Sequence, residues 1–231
     1  SQDGLAAFEP AFADELAVIM EWSFNHLQKD DESDPDARTW LRDETGGSVY
    51  LRLTTNPIEQ PGKRVDDAFK QGAIDGAYWL REPGPNCEVV IAYQGAVAPE
   101  AIKAAGIIGE CRRDVGVLAV TSADRLNAGW TAAQRARANG KKAAASHIET
   151  LLQGLPRNCV LITVIDGHPA TLSWLGGVWG HQTISHGVEH FGQTGSIADL
   201  YRHFRIDADA LVSSASELSL GRQIPHIKSV G

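Results

Sequence analysis

The 231-residue chain is poor in what several function classes require: it has 3 cysteines, 1 methionine, and 21 Lys and Arg against 29 Asp and Glu. The formal charge is −8, and no lysine- or arginine-rich block offsets it, which excludes a nucleic-acid backbone or an anionic membrane as partner. The longest apolar runs, around VLITVI, fall well short of the roughly 20 residues a spanning helix needs. The opening residues carry no signal-peptide pattern, so a cytoplasmic location is expected. Cys87, Cys111 and Cys159 form no C-x-x-C pair for zinc or a cycling dithiol. Cys87 and Cys159 each lead into an apolar run and are expected as small core residues in a reducing compartment. The single methionine is Met20 and the chain opens on Ser1, so a piece of a longer protein is expected.

What the sequence does hold is core material, at 43% hydrophobic and 22% charged. At about 150 residues per domain, the length suits one large domain, or one domain plus part of another. Apolar residues at helical spacing (Phe12, Leu16, Ile19, Trp22 or Ser23, His26, Leu27) predict a helix over about residues 10–28, with Pro10 in its first turn. The acidic stretch at residues 28–36 has no hydrophobic face and reads as a connection. Residues 48–55, SVYLRLTT, alternate as a strand does. Breakers at Asn56-Pro57 and Gln60-Pro61-Gly62 place a boundary near residues 56–64.

Beyond it, strands alternate with helices. Strands are predicted at residues 74–80, 87–95, 116–122, 157–165 and 181–185. Helices are predicted from Pro99 (apolar face Ile102, Ala105, Ile108), from Ala123, over about 143–152, and briefly after Pro169. Continuous apolar strands between amphipathic helices imply a three-layer α/β/α domain with a mixed, mostly parallel sheet of about five strands. The strand at 74–80 lies too close to Cys87 for a helical crossover, so that pair is predicted to be antiparallel or not adjacent.

Three places invite a chemical reading. HGVEH at residues 186–190 formally matches H-x-x-E-H, a zinc pattern that works only on a continuous helix. Gly187 inside it and the glycine-rich FGQTG after it argue instead for polar histidines at a strand end. In FGQTGSIADLYRHF, Ser196 with Asp199 has capping-box spacing. The loop amides around Thr194 and Ser196 are candidate anion contacts, against a plain capped helix. Asp166-Gly167-His168-Pro169 ends the strongest strand, the edge where ligands sit in α/β sheets. His168 is thus a candidate ligand or subunit contact, against a turn residue. No G-x-S-x-G element, dinucleotide fingerprint or P-loop accompanies them, so the residues alone define no catalytic set and no metal site.

Residues 191–212, FGQTGSIADLYRHFRIDADALV, resemble the C-terminal end of thiamine-diphosphate enzymes of the transketolase superfamily. The nearest resemblance is to the homodimeric decarboxylating component of pyruvate dehydrogenase, whose H-F-x-x-D-A run is matched by His203, Phe204, Asp207 and Ala208. VVIAYQGAVAPEAIKAAGIIGE with VGVLAVTSADRL resembles the opening of the family's third domain. PAFADELAVIMEWSFNHL with VYLRLTT resembles the last helix and strand of its pyrimidine-binding domain. The resemblance implies that residues 1–56 are the tail of the pyrimidine domain, 57–64 a linker and 65–231 the third domain. It further implies a parent that decarboxylates pyruvate or a similar 2-oxo acid and acetylates the lipoyl group of an acyltransferase partner. That parent would be a homodimer using thiamine diphosphate and magnesium. The family's G-D-G…N motif is absent from these residues, so no catalytic, cofactor or metal role is assigned to this chain, which is expected to be inactive alone. A transketolase, or a free-standing anion-binding regulatory module, are the alternatives.

Overall fold

The computed structural model describes residues 4–29, 46–62, 65–110, 114–190 and 192–223. Two strands, β1 (Leu5–Phe8) and β2 (Ser48–Leu51), pair in parallel from Leu5–Ser48 to Phe8–Leu51, with helix α1 (Ala13–Leu27) following β1. The chain continues through α2 (Asp67–Asp75), β3 (Ala77–Arg81), β4 (Val89–Gln94), α3 (Ala98–Glu110), β5 (Val115–Val120) and α4 (Ala123–Ala138). It closes with α5 (His147–Leu152), β6 (Val160–Ile165), α6 (Ala170–Ser173), β7 (Thr183–His186), α7 (Ile197–His203) and α8 (Ala208–Gln223).

β3 to β7 form a five-stranded sheet in the order β3-β5-β4-β6-β7, with β3 antiparallel to β5 and every other pair parallel. This is the mixed, mostly parallel sheet that the apolar runs imply. β3 and β4 are indeed not neighbours. Every residue of β4, β5 and β6 is buried, because helices cover both faces. Along β4, Val89, Ile91 and Tyr93 face one core layer with α3 and α8, whereas Val90 and Ala92 face the other, with α4, α5 and α6. The period-two alternation of a strand divides the same apolar run between two cores.

The structure corrects several boundaries. Residues 5–8 are a strand, and Pro10 lies between it and a helix that begins only at Ala13. Glu15 decides that start: its buried carboxylate accepts the Ala11 and Phe12 amides at 2.7 and 2.9 Å, satisfying donors that the first turn leaves unpaired. Ile74, expected in a strand, lies in α2, which Asp66 caps through the Phe69 amide and left-handed Gly76 terminates. The expected run joined a helix end to a strand across that glycine. The helix expected from Ala143 begins at His147, behind a Ser146–Glu149 capping box. α3 buries Ala98, Ala101, Ala104, Ala105 and Ile108, whereas Ile102 faces outward. Strand 48–55 ends at Leu51, and the last strand runs Thr183–His186. From residue 30 onward the acidic connection lies outside the described residues, as do Cys111 and Phe191.

Candidate functional site

From β4 the chain crosses to β5 on one side and later returns to β6 on the other. The loops after β4 and β6 therefore diverge, leaving a crevice at their carboxyl ends, the place where open α/β sheets receive ligands. A cleft of about 430 Å³ opens there, lined by Gln94 from β4 and by Asp166, Gly167 and His168 after β6. Its other wall comes from the two-stranded unit, with Phe8, Glu9, Tyr50 and Arg52. Clefts of about 240 and 310 Å³ adjoin it, and Asp166 lines all three.

A polar cluster joins the two walls. The Arg52 guanidinium donates to Glu9 Oε1 and lies 3.6 Å from Asp166 Oδ2. Gln94 Nε2 donates to Glu9 Oε2 at 3.1 Å. Burial pushes the Glu9 carboxyl above its ordinary pKa, and the Arg52 charge opposes that shift. Gln94 is 8% exposed, and its Oε1 has no hydrogen-bond partner among the described residues. Gly95 makes the cluster sterically feasible: with φ at +69°, a Cβ there would stand 2.3 Å from Glu9 Oε1. The backbone adds two ties, from the Glu9 amide to Thr121 O at 2.8 Å and from Ser122 Oγ to Ala7 O at 2.6 Å. Nearby Tyr201 is pushed up to about 12 by burial and by the Asp166 and Glu100 charges, which keeps its phenol neutral.

Of the residues singled out from sequence, His168 lines this cleft, exposed, with its Nδ1 accepting the Ala170 amide at 3.2 Å. Thr194 and Ser196 lie exposed before α7 and are not brought to it. Ser196 caps α7 as its spacing predicts, and its hydroxyl also donates to the Asp199 carboxylate at 2.6 Å. That carboxylate stands where an incoming anion would bind, and α7 is 7 residues long. In HGVEH, His186 ends β7 and residues 187–190 form no helix, so the zinc-bearing helical face does not exist. His186 is buried and its Nε2 lies 3.0 Å from Ser214 Oγ. That histidine–serine pair is a packing contact between β7 and α8. No group of three His, Cys, Asp or Glu suited to a metal occurs among the described residues. None of their helices is long and apolar enough to cross a membrane.

Sequence reasoning missed Glu9, Arg52 and Gln94. Glu9 and Arg52 stand 43 residues apart, and Glu9 and Gln94 stand 85 apart. The one available signal was that Gln94 ends one apolar strand and Asp166 follows another.

No protein-family model matches the chain, and no curated protein is significantly similar to it in sequence. Solved structures are similar in fold. A transketolase from Leishmania mexicana superposes with a TM-score of 0.64 at 16% identity, over 96% of this chain and 26% of that one. A Pichia stipitis transketolase in complex with sedoheptulose 7-phosphate gives 0.61 at 16% identity, over 95% and 26%. A split-gene transketolase, solved as an inactive β4 tetramer, gives 0.55 at 15% identity, over 94% and 58%. The chain therefore shares its fold with part of a transketolase, five-stranded sheet included. It spans about a quarter of the length of the full transketolases it matches.

Proposed function

We propose that this chain is the C-terminal part of a thiamine-diphosphate-dependent 2-oxo acid dehydrogenase. In this reading residues 1–56 are the tail of the pyrimidine-binding domain, 57–64 a linker and 65–231 the third domain. The whole protein is a cytoplasmic homodimer that decarboxylates pyruvate and acetylates the lipoyl group of an acyltransferase partner. The single observation that carries the reading is fold similarity over nearly the whole of this chain to one quarter of a transketolase. The H-F-x-x-D-A run at His203, Phe204, Asp207 and Ala208 favours the dehydrogenase branch.

The described residues do not fit the cofactor. The G-D-G…N motif is absent, and the described side chains offer no metal-ligand cluster. Thiamine diphosphate and magnesium accordingly belong to the remainder of the parent, where the cofactor supplies the carbanion chemistry. The contribution of this part is mechanical. The Glu9–Arg52–Asp166 cluster locks the two-stranded unit onto the sheet, bracing the subunit and bordering the entrance to the active site.

Calorimetry with thiamine diphosphate and magnesium should give no binding to this chain, and micromolar binding would overturn the assignment. The full-length protein, given the cofactor, pyruvate and a lipoyl domain, should acetylate the lipoyl group. A second reading, transketolase, is favoured by the similar structures described above, all of which are transketolases. Transfer of a two-carbon unit between sugar phosphates, with no pyruvate consumed, would select it.

A further inference from the structure

At the end of the sheet opposite the cleft, Cys87 and Cys159 meet although 72 residues separate them. They stand at the amino ends of the neighbouring strands β4 and β6, held side by side by the Val160 amide donating to Glu88 O at 2.9 Å. Their sulfurs are 3.9 Å apart, no disulfide joins them, and each residue is 1% exposed. From this geometry we infer that Cys87 and Cys159 are a redox modification site, a dithiol that hydrogen peroxide closes to an intramolecular disulfide.

Three features support it. A disulfide requires the sulfurs to close by roughly 2 Å, a displacement within reach of side-chain rotation at two strand ends. Access needs only local opening. Each cysteine follows two exposed residues, Pro85-Asn86 and Arg157-Asn158, and its amide is tied to a turn carbonyl, Gly84 O at 3.2 Å or Pro156 O at 2.8 Å. Such short turn segments open far more often than the strands behind them. Finally, Cys159 donates its thiol hydrogen bond to Cys87, which lowers the Cys87 pKa despite burial and favours the nucleophilic thiolate.

The reaction balances without a further reagent. The Cys87 thiolate attacks the peroxide, the O–O bond breaks, and Cys87 becomes a sulfenic acid as one water leaves. Cys159 then attacks that sulfur, forming the S–S bond and releasing the second water. Two thiols are oxidised and one peroxide is reduced. The cross-link would close a long loop holding β4, α3, β5, α4 and α5, so it stabilises chiefly by restricting the unfolded chain.

The test treats the folded chain with a small excess of hydrogen peroxide. Thiols titrated after denaturation should fall by two from the starting 3. Non-reducing peptide mapping should show Cys87 joined to Cys159, lighter by two hydrogens. Tm should rise by several degrees and return on reduction with dithiothreitol. The Cys111→Ser variant should form the same cross-link. Retention of both thiols, sulfinic acids without a cross-link, pairing of either cysteine with Cys111, or a bond formed only in denaturant would each overturn the proposal.

Discussion

The two sheets of this molecule use the same parallel pairing under opposite conditions. β4, β5 and β6 are buried at every position between two helical layers. β2, by contrast, has Tyr50 54% exposed, and Leu53 just beyond it is 52% exposed. A parallel sheet is stable when both faces are covered, and two strands alone are marginal in water. The five-stranded sheet supplies its own cover. The two-stranded unit borrows stability across the cleft, through Ser122, the Glu9 backbone, and the contacts of Glu9 with Gln94 and of Arg52 with Asp166.

Substitutions can break or sharpen that contrast. The largest effect is expected for Ile162→Ala in the centre of β6, a residue 0% exposed. It should cost about 2–5 kcal/mol in denaturant unfolding. Ser122→Ala removes both the cap of α4 and the bond to Ala7 O. A loss of about 1–3 kcal/mol is expected, together with faster hydrogen exchange in β1.

Arg52→Ala should cost about 1–2 kcal/mol near pH 8, because Glu9 is left as a buried carboxylate without its cation, with the Gln94 amide still donating to it. The sign follows from linkage. Glu9 has a folded pKa above its ordinary 4.5, so its ionisation opposes folding as pH rises through the folded value. Without Arg52 that value rises further, so the loss should shrink as the solution is acidified towards pH 4.5. A loss equal at both ends of the range would show that Glu9 does not ionise in the cluster.

His186 behaves in the opposite sense. Burial holds it below its ordinary 6.5, so the unfolded chain takes up the proton first and stability falls as pH drops below about 6.5. His186→Asn should cost about 1 kcal/mol at neutral pH through the contact with Ser214. It should also flatten that acid-side decline in urea titrations. Tyr50→Thr, on the exposed face of β2, should stay within about 0.5 kcal/mol of the parent. A larger loss would mean that the two-stranded unit carries more of its own stability than its exposure indicates.

Much of the central sheet was legible because a strand buried on both faces must be apolar at nearly every position, as VVIAY and VLITVI are. β1 was not, since LAAF is 4 residues long and its Phe8 extends the helical spacing that follows. α2 was missed because only Phe69, Gly72 and Ala73 are buried in it, too few to mark a face. The Ser196 cap was legible because capping depends on residues three apart. The Glu9–Arg52–Gln94 cluster was not, because nothing in a local pattern states which strand ends will meet.

Sequence alone determined the layer architecture, the apolar strands and the Ser196 cap, because these depend on neighbours within one or two turns of chain. Tertiary structure alone decided the strand order, the crevice between β4 and β6, and the meetings of Glu9 with Arg52 and of Cys87 with Cys159. Those pairings arise when crossovers bring distant strand ends together, and a one-dimensional pattern carries no record of that distance.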